Sequence, residues 1–164
     1  MSGEEPPRAG HRAPSGSSAT AGSNGPVASV GVHFRWPVRV YYEDTDAAGI
    51  VYYANYLRFL ERARTEWLAA MGFPLNALET EHNAVFVVHR LEIDYRAPAR
   101  LGDELEVTVA PIERGRTRLV AAQDVVRGDA LVARARVALA FLDRGDWRPL
   151  RMPAALLERM EATA

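Results

Sequence analysis

Residues 34–71 read FRWPVRVYYEDTDAAGIVYYANYLRFLERARTEWLAAM, and two hydrophobic periods meet inside them. Phe34, Trp36, Val38, Val40 and Tyr42 alternate with Arg35, Pro37, Arg39, Tyr41 and Glu43, the period of two of a half-buried strand. Pro37 has no N–H for a ladder, which places that strand at an edge or at its beginning. From Asn55 to Met71 the period lengthens: Tyr56, Phe59, Leu60, Ala63, Trp67, Ala70 and Met71 fall on one helical face. Arg58, Glu61, Arg62, Thr65 and Glu66 fall elsewhere, with Arg62 and Glu66 spaced to pair. Asn55 suits a cap, and Gly72 followed by Pro74 stops the helix.

Outward from this stretch the chain has a different character on each side. Residues 1–33, rich in Gly, Ser, Pro and Ala, show no hydrophobic period and predict a disordered tail whose removal leaves activity intact. Residues 34–164 form the single domain. In its second half Val85, Val87, His89, Leu91, Ile93 and Tyr95 alternate with Phe86, Val88, Arg90, Glu92 and Asp94; Leu105, Val107 and Val109 form a further alternating run. That pattern puts His89 on the apolar face, as a buried, hydrogen-bonded histidine with no catalytic role. Two more strands, Leu119 to Val126 and Leu131 to Phe141, are joined by Arg127-Gly128-Asp129, and Arg114-Gly115-Arg116 makes the turn before them. Pro153 to Met160 predicts a short closing helix. One long amphipathic helix with five antiparallel strands is an α+β domain.

Composition bounds the function. Twenty Lys and Arg against 21 Asp and Glu leave a net charge of -1, with no broad field for nucleic acid or an anionic membrane. The absence of cysteine excludes disulfides and a thiol nucleophile and fits a reducing compartment. No apolar run reaches the length of a membrane span and no signal-peptide core follows the first residues, so the expected location is cytoplasmic.

Glu43, Asp44 and Asp46 crowd three acids into four positions just before the helix. Capping and the helix dipole explain acids there, and the spacing does not match a Ca²⁺ loop, so no metal is expected. Their chemistry becomes specific through resemblance. The run from Phe34 to Asp46, continuing through Gly49-Ile50-Val51-Tyr52 and Glu61-Arg62-Ala63-Arg64-Thr65-Glu66, with Ala97-Pro98-Ala99-Arg100-Leu101 further on, resembles the Tol-Pal-associated acyl-CoA thioesterases. These belong to the hotdog-fold 4-hydroxybenzoyl-CoA thioesterase family.

The resemblance implies a five-stranded antiparallel sheet wrapped around one long central helix, assembled as homodimers or homotetramers with sites at subunit boundaries. It implies acyl-CoA as substrate, with acyl carrier protein as a second possible acyl donor, and no separate cofactor. It places the catalytic carboxylate on Asp46, as nucleophile or general base, and the oxyanion donor on the backbone N–H of Tyr53, where many close relatives carry His. An amide at a helix start suits that task, because the donor and the dipole are fixed before charge develops. Gly49 gives the turn its backbone freedom, Tyr52 lines the substrate channel, Glu61 helps position water, and Arg114 and Arg116 meet the CoA phosphates. Competing readings are a hotdog dehydratase, which needs a His that the helix region lacks, and a non-catalytic partner of lipid-synthesis or envelope proteins.

Overall fold

The computed structural model describes residues 34–162, so the reading of residues 1–33 as a tail lies outside the described residues. Strand β1 (Phe34–Arg39) leads through a 3-10 turn at Tyr42–Asp44 to helix α1 (Asn55–Ala70) and helix α2 (Leu75–His82). Strands β2 (Ala84–Tyr95), β3 (Glu104–Arg114), β4 (Arg118–Arg127) and β5 (Ala130–Asp143) follow, and helix α3 (Ala154–Ala162) closes the chain. All five strands form one sheet in the order β1-β3-β4-β5-β2, every pair antiparallel. This is the expected α+β hotdog arrangement. Among the described residues no helix is long and apolar enough to cross a membrane.

Helix α1 lies against the inner face of the sheet. Phe59, Leu60, Ala63 and Trp67 are buried against Val107, Val109, Leu119, Ala121, Val137 and Phe141, which alternate along β3, β4 and β5 as period-two strands require. Leu156 and Met160 of α3 extend the same core. Gly128, at φ 57°, lets the two residues between β4 and β5 turn the chain back on itself.

Several expectations need correction. Strand β1 ends at Arg39 rather than continuing to Glu43, and Tyr42 is exposed, because the Asp44 carboxylate draws the chain into a turn. On α1, Ala70 is exposed whereas Arg64 and Leu68 are buried, since the helix is covered on a second side by α2 and β2. Helix α2, which sequence periodicity did not predict, buries only Leu78 fully; eight residues with one anchor carry too weak a pattern. Strand β3 continues five residues past Val109, across a register shift between Pro111 and Glu113.

The correction at His89 has a definite cause. In the β2–β5 ladder Val88 pairs with Leu139 and Arg90 with Ala138, so His89 is the extra residue of a bulge. The bulge reverses the alternation: Ala84 and Phe86 face the core before it, Leu91 and Ile93 after it. His89 is therefore exposed on the outer face instead of buried.

Candidate functional site

The segment between β1 and α1 is fixed by its own acids, each with a different task. Asp44, 2 % exposed, accepts a hydrogen bond from the Tyr41 N–H at 2.9 Å. Its carbonyl takes the Tyr52 N–H at 2.8 Å and the Asn55 side-chain amide at 3.0 Å. Asn55 thus ties the helix start to the loop instead of capping α1, whose N-cap is Ala54. Asp46 is exposed and opens a tight turn: its N–H reaches the Ile50 carbonyl, the Gly49 N–H returns to its carbonyl, and its Oδ1 accepts the Ala48 N–H at 2.8 Å. Gly49 sits at φ 73°, a conformation costly for residues with a Cβ. The Val51 N–H, bonded to the Ala99 carbonyl at 2.8 Å, anchors the turn to the segment after β2.

At the helix start, neither the Tyr53 nor the Ala54 N–H has an acceptor among the described residues. The Tyr53 carbonyl, in contrast, accepts the Tyr95 hydroxyl at 2.9 Å, which ties the start of α1 to the end of β2. Beside Tyr53 a shallow, mainly apolar cavity of about 500 Å³ is walled by Ile50, Val51, Tyr56, Tyr95 and Pro98. Asp46 is not part of that wall. The Tyr52 ring lies 4.6 Å from that of Tyr53, tilted by 53°, and its phenol is raised above its ordinary value by the hydrogen bond and the charge of Tyr53, with desolvation and Asp46 adding to the rise.

The structure brings Asp46, Gly49, Tyr52 and Tyr53 to one end of the sheet and leaves the other expected residues apart from them. Arg114 and Arg116 lie at the β3–β4 hairpin, ten residues along β3 from the end that holds the loop, or roughly 30 Å. Arg114 donates to the Met160 carbonyl at 2.8 Å, which latches α3. It also lines an outer-face basin of about 760 Å³ with His89, Arg90, Glu113, Arg118 and Arg136. Arg90 and Arg136 are neutralised by Glu92 and Glu113, whereas Arg116 and Arg118 have no ion-pair partner among the described residues. Sequence reasoning missed Arg118, which adjoins the basic turn it did single out, and Arg136, and it put His89 on the opposite face; strand register and the bulge bring the last two to the basin.

Glu61 occupies a third place, on the wall of a cleft of about 210 Å³ between α1, α2 and the first half of β2, with Leu68, Leu78, Phe86 and Val88 as its apolar lining. Its carboxylate pairs with Arg64, whose side chain is buried. Arg64 Nη1 donates to the Gln123 side-chain carbonyl at 2.8 Å, and the Gln123 amide donates to the Leu60 carbonyl at 3.0 Å. Burial pushes the Arg64 guanidinium below its ordinary value and Glu61 pushes it back up. No group of three or more His, Asp or Glu side chains poised to hold a metal occurs among the described residues.

Comparison with known proteins gives this geometry a family. Residues 40–160 match the model of the thioesterase-like superfamily. The chain is 44% identical over 125 residues to the acyl-CoA thioester hydrolase YbgC of Escherichia coli O6:H1, covering 76% of this chain and 92% of that one. To the acyl-CoA thioesterase YbgC of Haemophilus influenzae it is 42% identical over 120 residues, covering 73% and 88%. Among solved structures, a thioesterase from Thermus thermophilus complexed with coenzyme A and Zn superposes with a TM-score of 0.70 at 33% identity, covering 81% of this chain and 95% of that one. A probable thioesterase from Bartonella henselae gives a TM-score of 0.70 at 31% identity, covering 73% and 98%. Fold and sequence agree: the chain is an enzyme of the thioesterase-like superfamily, with its hotdog fold.

Proposed function

We propose that the protein hydrolyses acyl-CoA thioesters to the free acid and CoA, with Asp46 as the reacting carboxylate and the Tyr53 N–H as oxyanion donor. The observation that carries this reading is the helix start. Two adjacent amide hydrogens without acceptors among the described residues lie beside an apolar cavity, seven residues after an exposed carboxylate on a turn held by backbone hydrogen bonds. A thioester carbonyl seated there gains hydrogen bonds as its oxygen becomes negative, and the donors need no rearrangement. Asp46 has one carboxylate oxygen committed to the Ala48 N–H and the other without a partner among the described residues, which holds the group in place while leaving it able to attack carbon or take a proton from water.

The same reading gives the distant arginines a task. CoA ends in a 3′-phosphorylated ADP, and arginine forks suit phosphate. Arg114 and Arg118 on the basin wall, with Arg116 in the adjoining turn, form its receiving surface. Because those residues lie at the far end of β3 from the loop, roughly 30 Å along the strand, we take a single CoA to meet both only when a second copy supplies one of them. The working unit is accordingly a homodimer or a dimer of dimers.

Free-thiol release from a panel of acyl-CoAs by the wild type and by Asp46→Asn tests the proposal. The variant is expected to lose about 100-fold or more in kcat. Wild-type activity retained by the variant removes the mechanism, and an inactive wild type across the panel favours a binding protein instead.

A further inference from the structure

From the end of β5 the chain reads Asp143-Arg144-Gly145-Asp146-Trp147-Arg148-Pro149, and backbone bonds close it into a hairpin. The Trp147 N–H reaches the Asp143 carbonyl at 3.0 Å and the Asp143 N–H the Arg148 carbonyl at 2.9 Å, while Asp143 Oδ1 accepts the N–H groups of Gly145 and Asp146. Trp147 closes this turn at φ 60°, a left-handed conformation that glycine or asparagine adopts readily and a bulky side chain resists. Gly145, two positions earlier, has no positive φ, so the residue with backbone freedom stands where it is not required. Nor does packing compensate: Trp147 is 62 % exposed, whereas Trp67 is 2 % exposed and Trp36 packs against the core. Neither local conformation nor burial accounts for a tryptophan at this position, and backbone strain of this kind gathers where a side chain is held ready for a ligand.

The hairpin is seated at the end of the sheet where the arginines collect. Pro149 bridges to Leu142, the Leu150 N–H donates to the Phe141 carbonyl, and the Phe141 N–H donates to the Thr117 carbonyl. The Met152 N–H then donates to the Arg116 carbonyl at 2.8 Å. The segment after Trp147 thus continues the line of β4 beyond its first residue, Arg118, and runs alongside the β3–β4 turn. Trp147 stands five positions before Met152, at most about 17 Å of extended chain. Two long side chains with a nucleotide between them bridge that distance. Arg151, on the same segment, adds a further exposed guanidinium. A lipid surface would also take an exposed tryptophan, but Asp143 and Asp146 balance Arg144 and Arg148 within the turn, which leaves an anionic bilayer no net charge to attract.

We infer that Trp147 stacks on the adenine ring of CoA while Arg114, Arg116 and Arg118 hold its phosphates, which makes this turn a recognition element for the nucleotide. This deepens the thioesterase reading above and rests on its assignment of CoA to those arginines. The two kinds of contact are complementary. Arginine forks fix phosphate oxygens, which every nucleotide and phosphopantetheine share, whereas an aromatic face takes the base, which phosphopantetheine lacks. The hydrogen-bonded turn also gives the strained φ a reason. With the Trp147 backbone held by Asp143, the ring is presented with little freedom to lose on binding. Because the nucleotide is remote from the reacting carbonyl, the stack binds substrate and transition state alike and is felt in KM rather than in kcat.

Kinetics on a matched pair of substrates provides the test: an acyl-CoA, and the acyl-pantetheine that lacks its nucleotide. Trp147→Asn removes the ring and installs a residue that tolerates φ 60°, so its melting temperature is expected within about 3 °C of the wild type or above it. Its KM for acyl-CoA should rise about tenfold with kcat within about twofold, and its KM for acyl-pantetheine should not move. Trp147→Tyr, which keeps a stacking ring, should recover most of the loss. Binding is read separately, by quenching of tryptophan fluorescence during titration with adenosine 3′,5′-bisphosphate. Trp67 is buried and Trp36 is packed against the core, so the wild type is expected to be quenched and Trp147→Asn is not. An unchanged KM for acyl-CoA in Trp147→Asn overturns the inference, as does an equal rise for both substrates, a quench that survives the substitution, or a wild type that the bisphosphate does not quench. A wild type quenched through Trp147 that cleaves neither substrate upholds the stack and identifies failure of the hydrolase reading instead.

Discussion

Asp44 and Asp46 stand two positions apart, the first buried and the second exposed. Asp44 is buried and its carboxylate satisfies the Tyr41 N–H, so Asp44→Ala leaves that donor unpaired and is expected to cost about 1–2 kcal/mol, read as a lower urea midpoint. Asp46→Ala removes an exposed side chain and should shift the same midpoint by no more than about 0.5 kcal/mol while abolishing turnover. Reversal of the two outcomes would exchange their assigned tasks. Gly49 gives a third contrast. Space around its Cα is open, so the expected cost of Gly49→Ala, about 1 kcal/mol, comes only from its φ of 73°. Thermal unfolding would show the loss, and a substitution without effect would mean that the turn relaxes freely.

Among the elements, α2 and the bulge in β2 decide features that periodicity did not reveal. Helix α2 covers the edge of the core through Leu78, which is 1 % exposed. Leu78→Ala should therefore destabilise the fold by about 2–4 kcal/mol in a denaturant titration, and a loss under about 1 kcal/mol would show α2 to be only loosely docked. The bulge at His89 shows why alternation by itself can mislead. One inserted residue exchanges the inner and outer faces of half a strand, and nothing in the local sequence marks the insertion, since Val85 and Val87 are as apolar as Phe86 and Val88. The long helix and the Gly128 turn were legible for the opposite reason. Sixteen residues of one period and a glycine at a forced φ are local signals.

At the scale of the whole molecule, charge balance sets the response to acid. Asp103 is held below the usual carboxylate range by the Arg100 N–H and by Arg127, and Asp143 by the N–H groups of Gly145 and Asp146 and by Asn83. A carboxyl whose pKa is lower folded than unfolded contributes stability that is fully present above the unfolded value, near about 3.9, and is lost as pH falls through the folded one. Urea midpoints should accordingly hold steady down to about pH 5 and fall below about pH 4, with the fall blunted in Asp103→Asn. An unchanged acid limb in that variant would remove Asp103 from the account.

By itself the sequence determined the helix, the antiparallel α+β class, the acidic turn before α1 and the family resemblance, because each rests on residues close together in the chain. Only the tertiary structure decided which chemistry shares a place. It separated Asp46 and Tyr53 from Arg114 and Arg116 by the length of β3, moved His89 outward, and joined Arg64 to Gln123, 59 positions away. Those outcomes depend on strand register and on how far the sheet carries each element, and both are settled by packing across the whole core rather than by neighbours in sequence.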